Sequence, residues 1–141
     1  MMPALDQLQD FARRYTAAWC SQNAASVAAF FAPNGSLSVN GAPAVGRLAI
    51  TEVAQGFMTA FPDMELLMDD IRLQDDRAEY HWTFIGTNTG PGGTGHRVWF
   101  SGFEEWNFGD DGLIAESQGH FDAADYQRQL ERGADAFNRK P

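Results

Sequence analysis

Apolar positions recur at intervals of three and four residues in four parts of the chain, a spacing that predicts helices. These parts cover about residues 4–22, 24–32, 47–61 and 122–133. The first helix should bury the face formed by Leu5, Leu8, Phe11, Ala12, Tyr15, Ala18 and Trp19. Pro33 is expected to stop the short second helix, and Asn34-Gly35 is typical of a turn.

Elsewhere apolar and polar residues alternate, as they do in half-buried strands. Two short strands are predicted around Asn40-Gly41 within residues 36–46, and longer ones over 64–73, 77–89, 96–108 and 113–121. Paired aspartates at 75–76 and the Gly-Asp-Asp-Gly run at 109–112 indicate the turns between them. Helices followed by antiparallel strands and a last helix indicate an α+β fold, with helices covering one face of a curved sheet.

Length and composition favour one globular domain. The 141 residues should form a single domain over 1–141, with an ordered body over about 4–133 and a loose tail. Eleven Phe and four Trp supply ample material for a core and a pocket. A net charge of −9 disfavours nucleic acid and anionic membranes as partners. The lone Cys20 and the acidic, signal-free start favour the cytoplasm.

The segment GTNTGPGGTGH at 86–96 contains a literal Gly-x-Gly-x-x-Gly at Gly90, Gly92 and Gly95. A dinucleotide-binding turn needs a strand before it and a helix after it, because the helix N-terminus holds the pyrophosphate. Here a second strand is predicted to follow, and Pro91 removes one backbone amide. We therefore interpret the segment as the connection of a β-hairpin, and a flap over a pocket stays open as an alternative.

Three segments, FPDMELLMDD, HWTFIGTNTGPGGTGHRVWFSGFEEW and DDGLIAESQGHFDAADYQRQL, resemble the SnoaL-like polyketide cyclase family of the nuclear transport factor 2-like superfamily. The resemblance covers nearly the whole chain. It implies a cone-shaped α+β barrel, in which three N-terminal helices pack on a strongly curved antiparallel sheet around a deep pocket, with a C-terminal helix. It also implies a homodimer formed through the sheet.

The resemblance places Glu104, Gln118, His120 and Asp122 towards the pocket. Asp122 is a candidate general acid or base, and it equally fits the N-cap of the last helix. His120 is a candidate proton relay or a hydrogen-bonded histidine at a sheet end. Glu104 lies mid-strand among aromatic residues, where a carboxylate is costly unless it is paired or functional.

Candidate substrate-binding residues are Asn88, Tyr15, Trp19, Gln118, Trp82 and Trp106. Asn88 stands where the family has a histidine, and its amide hydrogen-bonds without shuttling protons. The Tyr15 hydroxyl could donate to a substrate carbonyl oxygen, although packing of Tyr15 and Trp19 in the core is the simpler interpretation.

Together these features predict a small-molecule enzyme that performs acid–base chemistry without a cofactor on an apolar, carbonyl-bearing substrate. The reaction expected from the resemblance is an aldol-type cyclisation or an isomerisation. No metal is expected, since His81, His96 and His120 lack the spacing of a ligand set. The alternative is a non-catalytic domain of the same fold that binds an apolar ligand or mediates association.

Overall fold

A computed structural model describes residues 3–134 of the chain. Its helices are α1 (Leu5–Trp19), α2 (Ala24–Ala28), α3 (Arg47–Ala60) and α4 (Ala123–Arg132). Its strands are β1 (Phe31–Val39), β2 (Ala42–Val45), β3 (Glu65–Gln74), β4 (Arg77–Thr87), β5 (Arg97–Phe108) and β6 (Ile114–Phe121). One curled sheet has the order β2-β1-β6-β5-β4-β3, which confirms the predicted α+β cone with three helices before the long strands. Of the predicted loose tail, residues 135–141 lie outside the described residues.

All neighbouring strands are antiparallel except β1 and β6, which run parallel over Ser36–Val39 and Glu116–Gly119. β1 also begins earlier than expected, so the predicted turn at Asn34-Gly35 is wrong. The chain stays extended there because β1 bulges between Phe31 and Ser36. Gly35 permits the close approach to β6, since a Cβ at this position would lie 2.8 Å from a backbone oxygen of Ile114.

A second bulge lies in the hairpin of β5 and β6. Phe108 pairs with Ile114, but Asn107 pairs with Glu116, so Ala115 is an extra residue on β6. From that point the register is displaced by one residue, and Glu104 pairs with Gly119. Because side chains alternate between faces, the bulge exchanges the inner and outer faces of the rest of β6.

The core lies between α1, α3 and the concave face of the sheet. The predicted apolar face of α1 is buried except at Leu5, which is exposed in the first turn. Tyr80 on β4 and Trp106 on β5 stack with ring centroids 4.9 Å apart, and the Tyr15 ring meets both edge-on. These aromatic contacts fix α1 against the middle of the sheet.

Helix α4 docks where β5 extends beyond β6. Gln129 on α4 is 1% exposed, and its side-chain amide takes the place of a neighbouring strand there. Its Oε1 accepts from the Trp99 backbone N–H at 2.7 Å, and its Nε2 donates to the Trp99 carbonyl oxygen at 3.1 Å. At the other end of α4, Asp122 accepts from the Asp125 backbone N–H at 3.0 Å. The N-cap interpretation of Asp122 is therefore confirmed.

The glycine-rich segment connects β4 to β5, as expected, and rests on the end of α3. The Asn88 amide holds it there: Nδ2 donates to the Ala60 carbonyl oxygen at 3.1 Å, and Oδ1 accepts from the Thr94 backbone N–H at 2.8 Å. Asn88 is buried with both ends of its amide occupied. Its predicted role in substrate binding is therefore not supported, because the loop itself uses its hydrogen-bonding groups.

Two glycine substitutions distinguish close packing from intrinsic helix preference. A Cβ at Gly90 would lie 2.0 Å from the Thr59 carbonyl oxygen, whereas a Cβ at Gly56, on the exposed side of α3, meets nothing within 4 Å. We expect Gly90→Ala to lower the free energy of unfolding by about 1–3 kcal/mol. Gly56→Ala should raise it by about 0.5–1 kcal/mol. Urea denaturation measures both, and an unchanged Gly90→Ala protein would contradict this packing of the loop.

Candidate functional site

A partly open cavity of about 60 Å³ lies between the helices and the concave face of the sheet. Its wall is almost entirely aromatic and aliphatic. The lining residues are Trp19, Leu37, Val39, Phe57, Leu66, Trp82, Phe84, Phe100, Glu104, Gly119 and Phe121. Among them Glu104 is the one ionisable side chain, so any acid–base chemistry in this cavity depends on it.

Glu104 is 7% exposed and accepts hydrogen bonds from three side chains on two strands and a helix. Its Oε1 accepts from Trp106 Nε1 at 2.8 Å and from Ser117 Oγ at 2.7 Å. The Tyr15 hydroxyl lies 3.0 Å from Oε1 and 3.2 Å from Oε2, and shares its single proton between them. Oε1 is thus saturated, while Oε2 keeps lone-pair capacity for a further partner.

Burial raises the pKa of Glu104 above its ordinary value of 4.5, because the carboxylate has been taken out of water. The hydrogen bonds from Trp106, Ser117 and Tyr15 act in the opposite direction and only partly offset this effect. Burial, followed by the nearby Glu104 charge, holds the pKa of the Tyr15 hydroxyl well above its ordinary value. Tyr15 therefore remains a hydrogen-bond donor while Glu104 gains a tendency to hold a proton.

Three of the predicted site residues line the cavity: Glu104, Trp19 and Trp82. Tyr15 and Trp106 are fully buried behind this wall and contact the Glu104 carboxylate. The Tyr15 hydroxyl is committed to Glu104, so the expectation that it donates directly to a substrate is not supported. Both residues instead fix the position and charge state of Glu104.

Gln118, His120 and Asp122 lie outside the cavity, and their expected placement in the pocket is wrong. His120 lies on the outer face, where Nε2 is 3.1 Å from Glu105 Oε1, and Gln118 is exposed beside it. The physical reason is the bulge at Ala115, which turns these β6 side chains outward. Asp122 is exposed after the end of β6, where its carboxylate caps α4.

Ser117 is the polar site residue that the sequence interpretation missed. It pairs across the strands with Trp106 and shares the inner face with Glu104 and Gly119. The resemblance placed Gln118 and His120 towards the pocket. Strict alternation without a bulge then assigned Ser117 to the outer face of β6.

Two features that would imply other classes of protein are not found within residues 3–134. No group of three or more histidine, cysteine, aspartate or glutamate side chains is arranged to hold a metal ion. None of the helices in this part of the chain has the length and apolar character needed to cross a membrane.

Solved structures with the same fold come from several bacteria. TsrD from Streptomyces laurentii has a TM-score of 0.79 at 20% identity, over 92% of this chain and 98% of that one. A candidate SnoaL-like polyketide cyclase from Jannaschia sp. CCS1 has a TM-score of 0.80 at 14% identity, over 94% and 96%. AclR, a candidate hydroxylase from Streptomyces galilaeus, has a TM-score of 0.77 at 22% identity, over 92% and 87%. These identities establish a shared fold alone.

A search of curated protein sequences found no match. The sequence model described as SnoaL-like polyketide cyclase, in contrast, matches residues 9–130, which is most of the chain and includes most of α1, the whole sheet and all the groups around Glu104. The chain belongs to the SnoaL-like polyketide cyclase family.

Proposed function

We propose that the protein is a small-molecule enzyme that performs acid–base chemistry without a cofactor, with Glu104 as the proton-transfer group. The supporting observation is the single ionisable side chain in an otherwise apolar cavity. Burial raises the pKa of this carboxyl group, which makes the carboxylate a stronger base for taking a proton. The apolar wall suits the hydrophobic, carbonyl-bearing part of a substrate, and the open side of the cavity lets the rest of the molecule extend outward.

In this proposal Glu104 Oε2 removes a proton from the carbon next to the substrate carbonyl group. The electrons of the C–H bond form the enolate, and the negative charge moves to the carbonyl oxygen. Return of the proton to another carbon completes an isomerisation. Attack of the enolate carbon on a second carbonyl group, with Glu104 protonating the new alkoxide, completes an aldol-type cyclisation.

Tyr15, Trp106 and Ser117 position Glu104 for this step. They hold Oε1, which leaves Oε2 as the oxygen with free capacity. The same three bonds limit the rise of the Glu104 pKa, since they stabilise the carboxylate. A base that was too strongly desolvated would stay protonated near neutral pH and could not start the reaction.

A non-catalytic ligand-binding domain is the second candidate, favoured by the scarcity of polar groups on the wall. The shared fold does not distinguish an enzyme from a ligand-binding domain. The similar structures carry different descriptions, among them a candidate cyclase and a candidate hydroxylase. TerC, another protein of similar fold at a TM-score of 0.70, was crystallised with polyporic acid. The two candidates differ in whether Glu104 exchanges protons with a bound ketone.

We also propose that the protein acts in the cytoplasm, where a lone thiol such as Cys20 stays reduced.

We further propose a homodimer formed through the outer face of the sheet. The Phe103 ring lies on this face between His81 and His120, at centroid distances of 5.5 and 4.8 Å. Such a partly apolar row of rings suits packing against its symmetry-related copy. Sedimentation at micromolar concentration should give twice the 15.6 kDa monomer mass, and a monomer would contradict the dimer.

Proton transfer by Glu104 predicts catalysed exchange of the α-protons of 1-tetralone, a bicyclic aromatic ketone, in deuterated water. Loss of the α-proton NMR signal measures the rate. We expect Glu104→Gln to lower the protein-catalysed rate at least about 100-fold, the usual contribution of a positioned general base. Glu105→Gln is the matched control, since its carboxylate lies on the same strand and faces outward. Equal rates for wild type and Glu104→Gln would refute the proposal.

The raised pKa of Glu104 also predicts how stability depends on pH. A carboxyl group whose folded-state pKa is raised contributes most to the free energy of unfolding at a pH below its ordinary pKa of 4.5. This contribution falls as pH rises through the folded-state pKa. Glu104→Gln cannot ionise, so its free energy of unfolding relative to wild type should increase with pH, by about 1.4 kcal/mol for each pKa unit of elevation. Urea denaturation between pH 4 and 8 tests this, with Glu52→Gln on the exposed side of α3 as the control. A difference that is flat or decreases with pH would show that the pKa is not raised.

A further inference from the structure

Two indole N–H groups on the cavity wall have no hydrogen-bond acceptor within residues 3–134. Trp19 and Trp82 line the cavity and are 7% and 8% exposed, and the Nε1 atom of each is shielded from solvent without a partner. Trp106 is the internal comparison, because its Nε1 donates to Glu104 at 2.8 Å. Buried donors are nearly always paired, so two unpaired donors in side chains that line one cavity point to an acceptor from outside the chain, either a bound water or a ligand.

The protein itself offers these donors little besides ring faces. Trp19 packs edge-on against Phe57, at a centroid distance of 6.2 Å, and against Tyr15. The indole N–H of Trp19 lies close enough to the Tyr15 hydroxyl to lower the pKa of that hydroxyl, but the contact lacks the alignment of a hydrogen bond. The Tyr15 oxygen is thus a poorly placed acceptor for this indole, and its proton goes to Glu104.

The Trp82 ring is held in place by its neighbours. Phe100 and Phe121 pack against it at centroid distances of 5.7 and 6.0 Å. Gly102 makes room for it on the adjacent strand, since a Cβ there would lie 2.6 Å from Trp82 Cζ2. A ring enclosed in this way cannot turn to find an acceptor elsewhere, so the acceptor has to enter the cavity.

We propose that Trp19 and Trp82 are specificity-determining donors that bind acceptor oxygens of the ligand through their Nε1–H groups. The ligand is then a neutral, mainly apolar molecule with carbonyl-type oxygens, up to one for each indole. A carboxylate ligand is disfavoured because the wall carries no cationic side chain and includes Glu104. The inference deepens the proposed function and rests on it for the identity of this ligand as the substrate of Glu104.

The two indoles would also contribute to the proposed chemistry. When Glu104 removes the α-proton, negative charge develops on the substrate carbonyl oxygen, and a fixed N–H donor in a water-poor site stabilises that charge. The Tyr15 hydroxyl is occupied by Glu104 and cannot do so. Trp19 and Trp82 thus take the oxyanion-stabilising role that the sequence interpretation considered for Tyr15 beside its packing in the core.

The test compares two ligands of nearly equal shape, tetralin and 1-tetralone, which differ by the carbonyl oxygen. Titration into protein labelled with ¹⁵N at the indole nitrogens gives both affinities and identifies the indoles that respond. We expect 1-tetralone to bind about tenfold more tightly, the worth of one hydrogen bond to an otherwise unpaired buried donor. The Nε1–H signal of Trp19 or Trp82 should move downfield with 1-tetralone and not with tetralin, and exposed Trp99 should not respond.

Removal of the responding indole N–H should abolish the preference for 1-tetralone. Trp19→Phe and Trp82→Phe are the first variants, and Trp99→Phe is the matched control. Because a smaller ring leaves a cavity that weakens the fold, benzothienylalanine at position 19 or 82 is the second variant, which replaces the N–H by sulfur and keeps the shape. Equal affinities for the two ligands, or no saturable binding of 1-tetralone at millimolar concentration, would overturn the inference.

These outcomes separate the inference from the proposed function. A clear preference for 1-tetralone without α-proton exchange would support the indole donors and refute catalysis by Glu104. Exchange of α-protons that depends on Glu104, together with equal affinities for tetralin and 1-tetralone, would support catalysis by Glu104 and refute the indole donors.

Discussion

The structure depends on keeping one carboxyl group out of water. Desolvation of Glu104 is unfavourable, and three donors from different parts of the chain compensate for it: Tyr15 on α1, Trp106 on β5 and Ser117 on β6. The compensation requires the first helix and the last two strands to meet at one point. The group that we propose as the proton-transfer group therefore also fixes the position of the elements that enclose it.

Much of the fold follows from the periodicity of the sequence. The long strands and the three longer helices were predicted close to their observed positions, because burial of one face imposes its period on the residues. Local exceptions were not predictable in this way. The local sequence at Pro33 and Gly35 predicts a helix end and a turn. The segment instead belongs to β1, because it pairs with β6, a strand some 80 positions later.

Of the predicted site residues, Glu104, Trp19 and Trp82 line the cavity, where an apolar context surrounds a costly or bulky side chain. The placement of Gln118 and His120 in the pocket was wrong because a single extra residue, Ala115, reverses the faces of β6. Nothing in the amino-acid composition of β6 predicts a bulge. Asn88 shows a second limit: an amide suited to a ligand is equally suited to holding a loop, and only the three-dimensional neighbours distinguish the two.

The parallel pairing of β1 with β6 has a consequence for synthesis of the protein. β6 is the last strand to leave the ribosome, yet it lies between β1 and β5 in the sheet. Until it is inserted, the nascent chain holds two half-sheets, each with an open edge that can pair with another polypeptide. The interval before residue 121 emerges is thus the period of greatest exposure to aggregation, and a chaperone that protects strand edges would act on this protein at that stage.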